Sequence, residues 1–132
     1  MPKKTILIID DEEDLRKLLK MNLESAGDFK VITAANGMEG IAWAQKIKPD
    51  LILLDILMPD MDGIETLKIL RKDKDTFKVP VIMLTALGYA PFKSRALELR
   101  ADGYITKPID AGELKTKIDN VLKGFKGGLE NG

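Results

Sequence analysis

Five short apolar runs alternate with segments of helical spacing, and this alternation constrains the fold more than any other feature of the chain. Continuous apolar runs of this kind are typical of strands that are buried on both faces of a parallel sheet. Strands that alternate with helices predict an α/β fold in three layers, in which a five-stranded parallel sheet is flanked by five helices. The predicted strands are Thr5–Ile9, Phe29–Ala34, Leu51–Leu54, Val79–Leu84 and Gly103–Thr106.

The segments between the runs carry apolar residues on one helical face. One domain is expected over residues 4–123. Residues 124–132 hold four glycines and little to bury, so they are interpreted as a flexible tail, a linker stub or an expression remnant. Arg71–Lys78 is expected to be a solvated loop. The residues that mark the helices are Leu15, Leu18, Leu19, Leu23 and Ala26; Met38, Ile41 and Ala42; Ile64, Leu67 and Leu70; the segment Phe92–Leu99; and Leu114, Ile118, Val121 and Leu122.

Composition excludes several kinds of chemistry. The 132 residues include 21 Lys and Arg, 21 Asp and Glu, and neither His nor Cys. The zero net charge argues against a nucleic-acid-binding domain and against a polybasic membrane anchor. Without His and Cys the chain cannot form disulfides, Cys/His zinc sites or a Ser-His-Asp triad. The sequence shows neither a membrane span nor a signal peptide, so a cytoplasmic location is expected.

Four of the five predicted strands end in polar residues. Asp10 and Asp11 follow the first strand, Asp55 the third, Thr85 the fourth and Lys107 the fifth. Open parallel sheets bind ligands outside the carboxyl ends of their strands. We therefore expect these side chains to converge on one cleft, although each alone has a simpler interpretation as a helix cap, a turn residue or a solvated lysine.

The charges in this cleft predict a metal ion. Three carboxylates and one lysine leave about two negative charges at pH 7, and neighbouring carboxylates repel each other. A divalent cation would cancel the excess, and an all-oxygen donor set matches Mg²⁺, or alternatively Mn²⁺. Such a site suits phosphoryl transfer to a free aspartate carboxylate.

The chain resembles the response-regulator receiver domains of two-component signalling, including the chemotaxis regulators, over nearly its whole length. This resemblance implies a flavodoxin-like (βα)5 fold with strand order 2-1-3-4-5. It rests on the segments ILIIDDE (Ile6–Glu12), LILLDILMPDMDGIE (Leu51–Glu65), PVIMLTA (Pro80–Ala86) and ADGYITKP (Ala101–Pro108).

The resemblance implies a role for each residue of the cleft. Asp55 matches the phosphoacceptor. Asp10 and Asp11 match the acidic pair that holds Mg²⁺, with Asp11 as a direct ligand and Asp10 acting largely through water. The backbone carbonyl of Leu57 matches a further metal ligand, and Lys107 matches the lysine that pairs with the phosphoryl group.

The resemblance also implies a switch. Thr85 matches the hydroxyl that moves toward the phosphoryl group, and Tyr104 matches the aromatic residue that then swings inward. The surface formed by the predicted fourth helix, the fifth strand and the last helix would change as a result. Pro59 and Gly63 match the residues that shape the loop after Asp55, and the bond that precedes Pro108 is often cis in this family.

The implied phosphoryl donor is a sensor histidine kinase or a histidine phosphotransfer protein, and the implied receiver of the signal is a downstream protein or an output domain. Direct binding to nucleic acid or to a membrane is not expected. A homodimer, and the choice between a stand-alone regulator and a receiver cut from a longer protein, stay open.

Three residues depart from the usual pattern. Arg100 stands where the family usually has Gly, at a cost of roughly 1 kcal/mol if its backbone is left-handed. Leu57 and Leu87 follow Asp55 and Thr85 by two residues, where the family often has polar side chains. Because leucine cannot orient an attacking water, we expect slow autodephosphorylation.

Two other functions are less consistent with the sequence. A phosphohydrolase with an Asp nucleophile usually has a second acid two residues further on, and Leu57 stands there instead. A docking module with a vestigial site is opposed by the intact set of cleft residues. The chain is therefore expected to catalyse only its own phosphorylation and dephosphorylation, and not to be an enzyme with an external substrate.

Overall fold

A computed structural model of the chain describes residues 2–86 and 99–124. In these residues five parallel strands form one sheet with the order β2-β1-β3-β4-β5, which confirms the predicted topology. The strands are β1 (Lys4–Ile9), β2 (Phe29–Ala34), β3 (Leu51–Asp55), β4 (Val81–Thr85) and β5 (Gly103–Thr106). The helices are α1 (Glu13–Ser25), α2 (Gly37–Ile47), α3 (Gly63–Lys72) and α4 (Ala111–Leu122).

The predicted strand ends differ from the observed ones by only one or two residues. β2 and β5 have the predicted bounds, whereas Asp55 and Thr85 are the last residues of β3 and β4 and not the first residues after them. The predicted helix over Phe92–Leu99 lies outside the described residues except for Leu99, as does the predicted tail except for Gly124.

The central strand β1 contributes to both halves of the core. Leu7 and Ile9 pack on the side of α2 and α3, while Ile6 and Ile8 pack on the side of α1 and α4. All four side chains are fully buried, as the alternation of side chains along a strand requires when helices cover both faces of a sheet. Asp10, which follows β1, is therefore attached to a strand that is packed on both faces.

The helix faces were predicted less well than the strands. Leu18, Met38 and Ala42 are exposed, the first two by 51% and 65%, although their spacing predicted that they face inward. In α1 the buried residues are Leu19 and Leu23, and Leu18 lies about 100° around the helix from Leu19. None of the helices in the described part of the chain has the length and apolar composition that a membrane span requires.

A buried ion pair closes the amino end of the sheet. The Arg71 guanidinium lies 3.2 Å from a carboxylate oxygen of Asp102, and both side chains are less than 10% exposed. The same oxygen accepts a hydrogen bond from the backbone N–H of Val81 at the start of β4. Arg71 also donates to the backbone carbonyls of Phe77, Val79, Leu99 and Arg100.

The expectation of a solvated loop over residues 71–78 is therefore wrong for Arg71, and also for Thr76, whose hydroxyl is buried and donates to the carbonyl of Leu70. Arg100 has a φ of 64°, so the left-handed backbone considered for this position is confirmed.

Candidate functional site

The sheet itself places the two buried aspartates of the site. Asp10 follows β1, and its backbone N–H donates to the carbonyl of Ala34 on β2 at 3.1 Å. Asp55 ends β3 in register with Leu84 of β4. Because both backbones are held by the hydrogen bonds of the sheet, both carboxylates are delivered to its carboxyl end.

Lys107 gathers three carboxylates around one ammonium group. Its Nζ lies 3.1 Å from Asp10 Oδ2, 3.0 Å from Glu12 Oε1 and 3.4 Å from Asp55 Oδ1. The backbone N–H of Lys107 donates to the carbonyl of Thr85 at 2.7 Å, which fixes the chain just beyond β5. Glu12 was not predicted as a member of this group, because its place at the start of α1 suggested only a favourable interaction with the helix dipole.

Three carboxylates lie close enough to share one metal ion. Asp10, Asp11 and Asp55 each have an oxygen within 4.8 Å of the others, with Asp11 exposed and the other two buried. Asp10 Oδ1 accepts a hydrogen bond from the backbone N–H of Glu12 at 2.9 Å. Asp10 Oδ2 is buried and accepts no hydrogen bond from the described residues, so its ion pair with Lys107 is its one compensation there.

This donor set fits Mg²⁺. The ion prefers carboxylate and carbonyl oxygens, and a buried oxygen without a hydrogen bond is an atom that a cation would satisfy. Leu57, whose carbonyl the family resemblance implies as a further ligand, lies in the loop directly after β3 and is 42% exposed.

Burial and neighbouring charges together shift the pKa values of Asp55, Asp10 and Lys107. Burial, followed by the charge of Asp10, raises the pKa of Asp55 to about 7, against the opposing effect of Lys107. Burial also raises the pKa of Asp10, although the Glu12 N–H and Lys107 oppose it. Burial acts to lower the pKa of Lys107, but its hydrogen bond with Glu12 and the charges of Asp55 and Asp10 outweigh that effect and raise it. The pKa values of both buried carboxyl groups thus stay raised although the Lys107 ammonium group lies beside them.

The two predicted switch residues lie on adjacent strands. Thr85 is buried at the end of β4, and its hydroxyl donates to the carbonyl of Ala86 at 3.1 Å. Tyr104 is half-buried on β5 beside Met83 of β4, and burial raises the pKa of its hydroxyl to about 12. Leu87 lies outside the described residues. The peptide bond between Lys107 and Pro108 is cis.

Gly63 brings the start of α3 against the backbone of Asp55. Its N–H donates to the carbonyl of Ile56 at 2.7 Å. A Cβ at this residue would collide with the Asp55 carbonyl and lie 2.7 Å from Ile56 Cα, so only glycine fits. Asp62 and Glu65 form a capping box that fixes where α3 begins. The loop between Asp55 and α3 is thereby closed tightly over the end of β3.

The fold and the site together define a class of protein: a doubly wound α/β domain with an acidic, lysine-containing cleft at the carboxyl ends of its strands. The chain belongs to the response regulator receiver domain family, whose model matches residues 6–119.

Its relatives include transcriptional regulators. The chain is 45% identical over 120 residues to the alkaline phosphatase synthesis transcriptional regulatory protein PhoP of Bacillus subtilis, covering 91% of this chain and 49% of the relative. It is 43% identical over 123 residues to the phosphate regulon transcriptional regulatory protein PhoB of Pseudomonas aeruginosa, covering 93% of this chain and 53% of the relative. The chain thus spans about half the length of the curated relatives it matches.

Solved structures with the same fold match nearly end to end. The chemotaxis protein CheY4 of Vibrio cholerae has a TM-score of 0.85 and 32% identity, over 91% of this chain and 99% of that one. The receiver domain of the Francisella response regulator 1452 has a TM-score of 0.81 and 32% identity, over 92% of this chain and 98% of that one.

Proposed function

We propose that the chain is a phosphoacceptor domain that receives a phosphoryl group on Asp55 in the presence of Mg²⁺ and passes on a conformational signal. The observation that carries this proposal is the buried carboxylate pair at Lys107. Asp10 and Asp55 both lie within 3.4 Å of its ammonium group, and Asp11 completes a cluster of oxygens within 4.8 Å. Such a cluster is costly to bury unless a cation and a ligand complete it.

The metal ligands in this proposal are Asp10, Asp11, Asp55 and the backbone carbonyl of Leu57. Mg²⁺, or Mn²⁺ in its place, would supply positive charge that neutralises the phosphoryl oxygens during transfer. Asp11 is the exposed member of the set and the direct ligand that we expect, while Asp10 acts largely through water.

The transfer step uses the Asp55 carboxylate as the nucleophile. One of its oxygens attacks the phosphorus of a phosphohistidine, the phosphorus–nitrogen bond breaks, and the electron pair stays on the imidazole nitrogen, which then takes up a proton. These 132 residues hold no histidine, so the phosphohistidine donor lies outside them, on a histidine kinase or a histidine phosphotransfer protein. Lys107 pairs with the transferred group and limits the negative charge that it adds.

The signal then travels through Thr85. Its hydroxyl now donates to the carbonyl of Ala86, and in the modified state it would donate to a phosphoryl oxygen. Tyr104 would fill the space that Thr85 leaves, and β5 and α4 would present a changed surface to a downstream protein or output domain. The ligand shifts an equilibrium between two arrangements and does not create a new one.

The receiver accounts for about half of relatives such as PhoP, and their names describe transcriptional regulators. We propose that this chain likewise controls an output that lies elsewhere, either on the same polypeptide or on a partner. The domain is a signalling module that catalyses its own phosphorylation and dephosphorylation and has no external metabolite as substrate.

The test is phosphorylation by a small donor. Incubation with Mg²⁺ and acetyl phosphate or phosphoramidate should give an acid-stable, base-labile adduct that EDTA prevents. Asp55→Asn should abolish the adduct. Asp60→Asn is the matched control, because Asp60 is an exposed residue of the same loop with a φ of 68°, which asparagine tolerates.

Two results would contradict the proposal. Sustained hydrolysis of a phosphoester would favour a phosphohydrolase, and the absence of any adduct would favour a docking module with a vestigial site.

A further inference from the structure

Glu12 stands at the N-cap of α1, yet its side chain caps nothing in the described part of the chain. The N-cap residues of the other three described helices are Asn36, Asp62 and Asp110, and each of these side chains accepts a hydrogen bond from a backbone N–H at 2.8 Å. The Glu12 carboxylate instead accepts a hydrogen bond from Lys107 at 3.0 Å, across 95 residues of sequence. The Glu12 side chain therefore binds Lys107 and does not cap the start of α1.

The three carboxylate partners of Lys107 differ in how easily they can leave it. The Asp10 and Asp55 side chains are 0% and 6% exposed, whereas that of Glu12 is 61% exposed. Glu12 can therefore turn into water at little cost, while a buried carboxylate that lost its cation would be left uncompensated.

A lysine ammonium group has three N–H donors, and Lys107 has three carboxylate oxygens within 3.4 Å. The phosphoryl oxygens that arrive on Asp55 compete with these carboxylates for the ammonium group, which already donates a hydrogen bond to Glu12, and the carboxylate that can leave at the least cost is displaced. By exposure, that carboxylate is Glu12.

We propose that Glu12 is a positioning residue that holds Lys107 in the unmodified state and is exchanged for a phosphoryl oxygen when Asp55 is modified. This inference rests on the proposed function. Glu12 acts here as a competitor: it keeps the lysine ordered at the mouth of the site, and it lowers the affinity of the site for a phosphoryl group.

The first test measures binding of beryllofluoride, a phosphoryl analogue, in the presence of Mg²⁺ by titration calorimetry. Glu12→Gln and Glu12→Asp should both bind it more tightly than the unsubstituted protein, by roughly 2- to 5-fold, the range expected for loss of one exposed ion pair. Glu12→Asp keeps the charge but shortens the side chain, so it separates loss of the contact from loss of a negative charge.

Glu13→Gln is the matched control. Glu13 is the next residue of α1, its side chain is 67% exposed, and its ion-pair partner is Lys17 at 3.4 Å. It should leave the affinity for beryllofluoride unchanged. Equal affinity in all proteins would overturn the inference, and so would tightening in Glu12→Gln without tightening in Glu12→Asp, because the effect would then be one of charge alone.

A second test needs neither metal nor ligand. In a double-mutant cycle of unfolding, Glu12→Gln and Lys107→Met should be non-additive, since each removes the same contact; additive effects would overturn the inference. If the unsubstituted protein binds no beryllofluoride, the proposed function itself fails. That result differs from a failure of this inference alone, in which the protein binds but the Glu12 variants bind equally well.

Discussion

Each end of the sheet holds a cationic side chain beside buried carboxylates, but the charges balance at the amino end and do not balance at the carboxyl end. At the amino end, one buried cation, Arg71, faces one buried carboxylate, Asp102, and the remaining Arg71 donors reach backbone carbonyls. At the carboxyl end, Lys107 faces three carboxylates, and Asp10 Oδ2 accepts no hydrogen bond from the described residues.

The difference separates a structural site from a functional one. A buried ion pair with all its hydrogen bonds made needs nothing further and ties the end of α3 to the starts of β4 and β5. A cluster with surplus negative charge is less stable than it could be, and residues that break a local rule in this way are expected where a protein binds or reacts. The following predictions test this contrast.

Loss of Arg71 should have the largest effect on stability. Arg71→Ala leaves the buried Asp102 carboxylate and several carbonyls without their donor, and should lower the free energy of unfolding by about 3–5 kcal/mol. The measurement is urea unfolding beside Lys72→Ala, which removes an exposed cation one residue further along α3 and should change little. Similar effects of the two substitutions would show that the amino end is not the structural anchor described above.

The stability of the metal-free protein should fall as the pH rises. Asp55 has a pKa of about 7 in the folded state and about 3.9 when unfolded, so between these values the folded state holds the extra proton and ionisation favours unfolding. This carboxyl should cost about 2–4 kcal/mol between pH 4 and pH 8. Chemical unfolding across this range should show the decline, and Mg²⁺ should reduce it. A curve that rises with pH in both conditions would contradict the assignment.

Replacing Asp by Asn should change the free energy of unfolding in opposite directions at the two ends of the sheet. At pH 8 without metal, Asp55→Asn removes a repelled charge and should raise the free energy of unfolding by about 2 kcal/mol. Asp102→Asn removes the partner of a buried guanidinium and should lower it by about 1–3 kcal/mol. Destabilisation by both would mean that the carboxylates at the carboxyl end are compensated as fully as Asp102 is.

The smallest predicted effect is on the rate at which the phosphoryl group is lost. Leu57 and Leu87 offer no polar group to orient a water, so Leu57→Asn and Leu87→Glu should speed loss of the phosphoryl group several-fold. Leu57 is 42% exposed, so Leu57→Asn should hardly change stability. Phe77 at the amino end is equally exposed, and Phe77→Asn should leave the rate unchanged. Unaltered rates in both leucine variants would show that backbone and solvent control the lifetime.

The parallel sheet and its strand ends could be predicted from local apolar runs, whereas the strand order came from the resemblance to a known family. Asp10, Asp55, Thr85 and Lys107 follow or end those strands, so their convergence needed no long-range information. Contacts between distant polar residues could not be predicted in this way. Glu12 meets Lys107 across 95 residues, and Arg71 meets Asp102 across 31, and each of these side chains has an equally good local interpretation as a solvated charge.

Helix faces were the weaker part of the prediction. Leu18 fits a helical apolar pattern, but the narrow strip of α1 that contacts the sheet passes through Leu19 and Leu23. The periodicity identifies the helix, and only packing determines how wide its buried face is.

The most direct measurement of the central claim is the location of the transferred group. After reaction with phosphoramidate and Mg²⁺, reduction with borohydride converts an aspartyl phosphate into homoserine, which peptide mass spectrometry can place in the sequence. The proposed function predicts homoserine at residue 55 and at no other aspartate. A label at Asp10, at Asp11 or at an exposed aspartate, or no label at all, would contradict it.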